Sequence, residues 1–209
     1  MDELIVDLHI HSHYSRATSK EMNVFSLYRW GKIKGLNVMG TGDFTHPLWL
    51  AELEQKLVDA EDGLWQLGKK YQLSEDKNLP EIISSKLLRF VLTTEVSCIY
   101  SRQGQLRKLH SLIVAPDFSV VKKINERLAR FGNLHADGRP ILSIDSEEVL
   151  KIVMDIDEKC MFIPAHIWTP WFGMFGSRSG FDSLEEAFGR NKGLLSAVET
   201  LTVIGSRNE

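Results

Sequence analysis

Short apolar segments that predict β-strands alternate with helical patterns along most of the chain. Strands are predicted at residues 4–8, 36–39, 90–94, 111–114, 161–163 and 194–198. Helical patterns cover residues 22–34, 47–72 and 119–131. Residues 73–86 are polar and are predicted to be mainly loop, while Asp145 with Glu148 and Asp182 with Glu185 have the spacing of capping boxes that open further helices. This alternation predicts an α/β fold with a mostly parallel sheet or barrel.

The composition limits the class of protein. A chain of 209 residues with 43% hydrophobic and 25% charged residues can form one sizeable core. Its net charge of −3 gives no global attraction to nucleic acid or anionic membranes, so a phosphate-facing surface would have to be a local patch. Cys98 and Cys160 are far apart and suit a reducing compartment. With acids near the amino terminus and no long apolar run, we expect a cytoplasmic protein without a membrane segment.

Polar residues that bind metals follow the predicted strands. In α/β folds with parallel strands, functional groups gather where the strands end. Four segments place such residues at the end of a predicted strand or after it: His9 with His11, Asp43 with His46, Glu95, and His166. In a fifth segment, His110 lies at the start of, or just before, the strand predicted at 111–114. We therefore predict that these side chains meet at one rim of the fold.

The spacing of His9 and His11 fits a metal site. Side chains at positions i and i+2 of a strand point to the same face, so two imidazoles can converge on one cation. A carboxylate such as Glu95 can bridge two cations in a two-metal site. Asp7 shares the alternation of the two histidines and is a candidate ligand or a partner of a ligand. His13 is expected to lie beyond the strand.

Five segments together resemble the polymerase and histidinol phosphatase (PHP) superfamily, and most of all the PHP domain of endonuclease Q-like proteins. They are DLHIHSHYS, GTGDFTHP, LTTEVS, KLHSLIVAP and IPAHIWTPWFGMFGSRSGFDS. The resemblance implies a distorted (βα)7 barrel of the TIM type that holds two to three zinc or manganese ions and cleaves phosphoester bonds.

The resemblance also implies roles for individual residues. His9, His11 and Glu95 would hold one metal ion, and Glu95 would bridge to a second ion that His110 and His166 hold. Asp43 and His46 fall at the motif that supplies a third-metal ligand, and His46 is the favoured one of the two. These residues are the predicted catalytic and metal-binding set.

The resemblance is incomplete at the carboxyl end. Members of the superfamily end a last strand in a DxH motif, which this sequence lacks. We therefore expect residues 1–200 to form a PHP domain without its last strand and residues 201–209 to be a divergent tail. Such a domain has open sheet edges through which chains can associate. Only the second metal site keeps its three expected ligands, so partial metal loading is expected.

The sequence thus predicts a metal-dependent phosphodiesterase or endonuclease domain that acts on damaged or deaminated DNA, by resemblance. Substrate contacts are predicted for Arg16, Arg178, Trp168 and Trp171, although the two tryptophans are alternatively packing residues. Two other functions are considered. One is a small-molecule phosphatase of the histidinol-phosphate type, and the other is an inactive remnant that only binds metal.

Overall fold

The computed structural model describes residues 3–16 and 18–200, and the predicted tail 201–209 lies outside them. The amino-terminal part contains short strands and helices. The strands are β1 (Val6–Asp7), β2 (Val38–Gly40), β3 (Leu57–Glu61) and β4 (Leu64–Leu67). The helices are α1 (Val24–Lys34), α2 (Pro47–Lys56), α3 (Lys69–Asp76) and α4 (Glu81–Ser84).

The carboxyl-terminal part is built on two long strands. The strands are β5 (Arg89–Arg102), β6 (Gln105–Ala115), β7 (Ile141–Leu142) and β8 (Met161–Pro164). The helices are α5 (Phe118–Leu128), α6 (Ser146–Ile156) and α7 (Leu184–Phe188), followed by a 3-10 helix (Gly189–Leu194). Within the described ranges no helix is long and apolar enough to cross a membrane.

The described strands form one mixed sheet that curls into half a barrel. β1, β2 and β5 are parallel neighbours, so the residues that follow β1 and β2 lie at the same edge. β6 runs antiparallel to both β5 and β8. The predicted α/β, barrel-like class is confirmed, but the expectation of a mostly parallel sheet is wrong because β5 and β6 form a long hairpin. The seven strand–helix units of a (βα)7 barrel stay a prediction.

The predicted helix over residues 47–72 is interrupted by a β-hairpin. α2 ends at Lys56, and β3 and β4 then pair around a turn in which Gly63 has a φ of +74°. An Asp-Gly pair favours such a turn because glycine adopts positive φ without strain. Leu57 and Leu67 face each other across the hairpin and are both buried. Their burial anchors this hairpin to the core.

The segment predicted as loop, residues 73–86, contains the end of α3 and all of α4. The buried Lys32 of α1 holds both helices, because its Nζ lies 2.8 Å from Asp76 Oδ1 and 2.6 Å from the Ser84 carbonyl oxygen. A buried ammonium group requires such partners. This tertiary contact has no signature in the local sequence.

Two other local predictions need correction. The predicted strand at 194–198 is not a strand, although Ser196 and Glu199 donate backbone hydrogen bonds to the carbonyl oxygens of Phe162 and Pro164 along β8. The Asp182 capping box is also wrong, because Ser183 caps α7 and accepts from the Glu186 N–H. Asp145 caps α6 as predicted.

Candidate metal centre

Glu95 is the centre of a cluster of four imidazoles. Its carboxylate is fully buried in the middle of β5. Oε1 lies 2.8 Å from His110 Nδ1, 3.2 Å from His166 Nε2 and 3.4 Å from His9 Nε2. Oε2 lies 3.2 Å from His11 Nε2. One buried carboxylate therefore faces ring nitrogens from three separate parts of the chain.

These side chains form two triads that share Glu95. The first triad is His9, His11 and Glu95, and the second is Glu95, His110 and His166. Within each triad the potential ligand atoms lie within 4.8 Å of one another. Imidazole nitrogens around a shared carboxylate are the donor set of a two-metal site for zinc or manganese. The residues present thus fit a pair of divalent cations.

The strands place the ligands differently from the prediction at two positions. His9 and His11 follow β1, and His166 follows β8, as expected. Glu95, predicted at the end of its strand, lies in the middle because β5 continues to Arg102. His110, predicted at the start of a strand, lies inside β6 opposite Ser97. The long hairpin brings these two residues to the centre from adjacent antiparallel strands.

Carboxylates orient the histidines of the first triad. His9 Nδ1 lies 2.9 Å from Glu199 Oε2, and His11 Nδ1 lies 2.9 Å from Asp43 Oδ1. Each ring therefore directs its Nε2 toward Glu95. A carboxylate on the far nitrogen of a metal-binding histidine fixes the ring and its tautomer. Glu199 also accepts a hydrogen bond from the His166 backbone N–H at 2.8 Å.

A network of hydrogen bonds holds Asp43 in place. The carboxylate is fully buried and accepts from the backbone N–H and the hydroxyl of Ser12, each at 2.7 Å. Gly42 precedes it with a φ of +64°, and a Cβ at Gly42 would collide with the Ile10 carbonyl oxygen. The turn after β2 is therefore shaped to bring Asp43 against His11.

The second triad has neutral partners. His166 Nδ1 lies 2.9 Å from the Thr169 hydroxyl, which donates to the Trp171 carbonyl oxygen. The His110 ring packs on Phe172 with 4.2 Å between ring centroids. His110 Nδ1 and His166 Nε2 are 3.2 Å apart. Packing and a hydroxyl replace the two carboxylates that orient the first triad.

These surroundings shift the pKa values in opposite directions. Burial disfavours the charged form of His9 and His11, but hydrogen bonds to carboxylates outweigh it and raise their pKa to about 10 and about 9. Burial also disfavours charged Glu95, yet the surrounding imidazoles hold its pKa well below the usual range. For His110, burial dominates and lowers the pKa. These shifts favour protonated His9 and His11 and ionised Glu95 at neutral pH, whereas they favour neutral His110.

Strained backbone is concentrated at the centre. Among the described residues, four other than glycine have positive φ, and three of them are Asp43 (+51°), His166 (+31°) and Phe172 (+63°). The positive-φ backbone conformation costs free energy for a residue with a Cβ, and such strain occurs often at functional sites. Two of these residues, Asp43 and His166, are predicted ligands, and Phe172 packs on the candidate ligand His110.

The predicted third-metal ligands, Asp43 and His46, belong to neither triad. Asp43 contacts the centre through His11. His46 is buried, stacks on Tyr14 with 4.1 Å between ring centroids, and its Nδ1 has no hydrogen-bond partner among the described residues. Burial lowers the pKa of His46. His13 contacts the Met22 carbonyl oxygen through Nδ1.

Arg139 was missed in the sequence. Its Nη1 lies 3.0 Å from Glu95 Oε2, although it is in a loop between α5 and β7 that carries no recognised motif.

The predicted substrate-binding residues are exposed: Trp168 and Trp171 are 56% and 51% accessible, and Arg178 is on the surface. Arg16 is also exposed and pairs with Asp137 at 3.3 Å. Lys108 Nζ lies 5.0 Å from the centre of the Trp171 ring.

Solved structures with a similar fold include endonuclease Q and a candidate metal-dependent phosphoesterase. The lesion-specific endonuclease Q of Pyrococcus furiosus matches with a TM-score of 0.70 and 31% identity, over 90% of this chain and 40% of that one. Endonuclease Q in complex with a 27-mer duplex substrate that has an abasic lesion at the active site matches with a TM-score of 0.69 and 31% identity, over 88% and 40%. A candidate metal-dependent phosphoesterase of Bifidobacterium adolescentis matches with a TM-score of 0.52 and 15% identity, over 95% and 77%, which shows likeness of fold alone.

The sequence comparisons found one curated relative. An uncharacterized protein of Methanocaldococcus jannaschii is 35% identical over 166 residues, which is 79% of this chain and 16% of that protein. The sequence matches no protein-family model. The chain thus spans less than half the length of the endonuclease Q chains and of this curated relative. Together the motifs, the fold and these matches relate the chain to endonuclease Q within the PHP superfamily.

Proposed function

We propose that this chain is a metal-dependent hydrolase that cleaves phosphodiester bonds in DNA. The observation that carries the proposal is the fully buried Glu95 carboxylate, which faces the ring nitrogens of four histidines at 2.8 to 3.4 Å. The similarity to a lesion-specific endonuclease supports the same kind of reaction. A duplex with an abasic site or a deaminated base is the proposed substrate, by analogy with the complex of endonuclease Q.

Zinc or manganese is the proposed cofactor. His9, His11 and Glu95 would hold one ion, and Glu95, His110 and His166 a second. Bound divalent cations polarise a phosphoryl oxygen and lower the pKa of a bound water toward neutrality. We propose His46 as a ligand of a third ion, which its buried and unpartnered Nδ1 supports.

The residues around the triads prepare the site for this chemistry. Asp43 and Glu199 hold Nδ1 of His11 and His9. Nε2 is therefore the nitrogen of each ring that would bind the cation, once its proton is lost. Thr169 likewise holds Nδ1 of His166. Because ring orientation is fixed before a ligand binds, little conformational entropy is lost on binding.

The exposed side chains near His166 and His11 form the proposed DNA surface. Trp168 and Trp171 project from the loop that follows His166, and exposed indoles can stack on bases that have left the duplex. Arg16 and Arg178 supply positive charge for phosphate oxygens. We expect Trp171→Ala and Arg178→Gln to weaken DNA binding while metal binding is unchanged.

A nicking assay tests the proposed function. Labelled duplexes with an abasic site, a deaminated base or no lesion are incubated with the protein and Mn²⁺ or Zn²⁺. We expect metal-dependent strand cleavage that Glu95→Gln abolishes. Glu61→Gln is the matched control, since Glu61 is exposed and pairs with Arg89 away from the centre.

Other outcomes would identify the other functions. Release of inorganic phosphate from a small monoester without DNA cleavage would favour a phosphomonoesterase. Bound metal without hydrolysis of either substrate would contradict an enzymatic role and favour a domain that only binds metal.

We also propose that two chains associate through β1. Among the described strands β1 pairs only with β2, and Leu4, Ile5 and Val6 beside its free edge are 65%, 51% and 46% exposed. An apolar free edge favours pairing with another strand. Light scattering should show dimers that Ile5→Lys converts to monomers, and a wild-type monomer at high concentration would contradict this proposal.

A further inference from the structure

Arg139 links the buried centre to solvent. Its guanidinium contacts Glu95 Oε2 at 3.0 Å, while 38% of its side chain remains exposed. The same oxygen lies 3.2 Å from His11 Nε2, a ligand atom of the first triad. Arg139 therefore shares one carboxylate oxygen with the first triad and also reaches solvent.

The loop that carries Arg139 is fixed on both sides. The Arg139 backbone N–H donates to Asp137 Oδ1 at 3.0 Å, and the Gly138 N–H donates to the Tyr14 carbonyl oxygen at 3.0 Å. The Thr45 hydroxyl donates to the Gly138 carbonyl oxygen at 3.2 Å. A Cβ at Gly138 would collide with the Asp43 carboxylate, so only glycine lets the loop approach this closely. The backbone at Arg139 is thus fixed beside the centre, while its guanidinium is held by the ion pair with Glu95.

The charges in this arrangement are unbalanced once a cation binds. Glu95 carries one negative charge, and a divalent cation in the first triad would share it with the Arg139 guanidinium. Like charges repel strongly when they are partly buried. A tetrahedral anion would relieve this repulsion, because guanidinium binds two oxygens of a phosphate in parallel hydrogen bonds.

We infer that Arg139 couples metal binding in the first triad to binding of the phosphate group of the substrate. Without an anion, the guanidinium competes with the cation for Glu95 and weakens metal binding. With an anion, Arg139 turns from Glu95 to the phosphate oxygens, and the cation gains the whole carboxylate. By linkage, the metal ion strengthens anion binding by the same factor. This inference rests on the proposed function, since it names the group that holds the substrate phosphate.

Calorimetric titration with Mn²⁺ tests the coupling without any turnover. The titrations are made at constant ionic strength with and without inorganic sulfate, a tetrahedral dianion that cannot be hydrolysed here. The ion that His11→Ala removes is assigned to the first triad. We expect sulfate to increase its affinity about tenfold in the wild-type protein, a coupling of ordinary size for linked sites.

Arg139→Gln should bind this ion more tightly than wild type when sulfate is absent, and sulfate should then have no effect. Arg139→Lys keeps the charge without the paired donors, so it should keep the weak metal affinity and lose most of the sulfate effect. Arg89→Gln is the matched control, because Arg89 is on the same strand as Glu95 and pairs with Glu61 instead. It should behave as wild type.

Equal metal affinity and an equal sulfate effect in wild type, Arg139→Gln and Arg139→Lys would overturn the inference. If Arg139→Gln does not fold, a full sulfate effect in Arg139→Lys overturns it alone. Failure of the proposed function gives a different result, namely coupled binding of metal and sulfate with no cleavage of DNA. A wild-type protein that binds no Mn²⁺ would overturn both.

Discussion

The two triads share Glu95 but differ in what surrounds their histidines. His9 and His11 of the first triad are 17% and 22% exposed, and each has a second carboxylate on its far nitrogen. His110 of the second triad is 6% exposed and packs on Phe172, while His166 contacts the Thr169 hydroxyl. The first triad therefore stabilises protonated histidines, whereas the surroundings of His110 stabilise its neutral form.

This difference means that two candidate metal sites sharing one carboxylate should differ in how strongly protons compete with the metal ion. A cation must displace protons from His9 and His11, whose pKa values are raised to about 10 and about 9. The lowered pKa of His110 means that this histidine of the second triad carries no such proton at neutral pH. We expect the second triad to bind metal first and more tightly near pH 7.

Glu95→Gln should have the largest effect, because it removes the group that both triads share. An amide leaves His9, His11 and Arg139 without their common negative charge, and breaking a buried ion pair costs about 3 to 5 kcal/mol. We expect loss of both metal ions and a lower unfolding temperature. Elemental analysis gives the number of ions per chain, and His110→Ala, which should lose one ion only, is the comparison. Retention of one full equivalent in Glu95→Gln would contradict a shared carboxylate.

The pH dependence should separate the two triads. Because protons occupy His9 and His11 below pH values of about 10 and about 9, metal affinity of the first triad should rise steeply from pH 7 to pH 9, with release of up to about two protons per ion. The second triad should change less, since His110 has a lowered pKa. Titration in buffers of different ionisation enthalpy counts the released protons. Equal proton release at both sites would contradict the expected difference in protonation between His9 and His11 on one side and His110 on the other.

The same pKa shifts affect the stability of the metal-free protein. A raised pKa in the folded state adds stability that is fully present below the unfolded value of 6.5 and is lost as the pH rises through the folded value. The metal-free protein should therefore lose stability between pH 7 and pH 10, whereas metal should protect it most strongly at the upper end. Thermal unfolding with and without Mn²⁺ measures both trends, and a metal-free protein that gains stability over this range would contradict the assignment.

The candidate ligands that the structure brings together lie mostly in local patterns that the sequence makes recognisable. His9 and His11 are two residues apart after an apolar segment, and Glu95 and His166 follow further apolar segments. Arg139 could not be found in this way, because it lies in a loop without such a pattern and is 44 residues distant in sequence from its partner Glu95. Its role depends on a tertiary contact that no local pattern encodes.

The fold was predicted only in part, because local sequence patterns do not encode tertiary contacts. Leucines at positions 50, 53, 57 and 64 fit a helical period, so the hairpin of β3 and β4 was hidden within a longer helix. Only the Asp62-Gly63 turn signals the interruption. The antiparallel course of β6 was missed because apolar strands look alike in either direction. Strand direction is fixed by the turn at Gln103, with a φ of +54°, and Gly104, with a φ of +76°.

Asp43→Asn should weaken the first triad alone. An amide cannot hold His11 by a charged hydrogen bond, so the ring loses its fixed orientation and its raised pKa. Loss of such a partner typically costs about 10- to 100-fold in metal affinity. Titration with Mn²⁺ should show this loss for the ion that His11→Ala removes, with a shift of its pH dependence to lower pH. The second triad in the same variant is the internal control, and an equal loss at both sites would indicate a general structural defect.

Thr169→Val should have the smallest effect, and it tests the neutral side of the comparison. The Thr169 hydroxyl has two carbonyl acceptors, Trp171 and His166, so it is free to accept from His166 Nδ1. The tautomer with its proton on Nδ1 is the one whose Nε2 can bind a cation. A neutral acceptor polarises the ring less than a carboxylate, so we expect only about a threefold loss of metal affinity in the second triad, as for a net hydrogen bond of about 0.5 to 1 kcal/mol. The first triad should keep its affinity in this variant. A loss as large as that of Asp43→Asn would mean that ring orientation, and not the charge of the partner, decides how tightly each triad holds its ion.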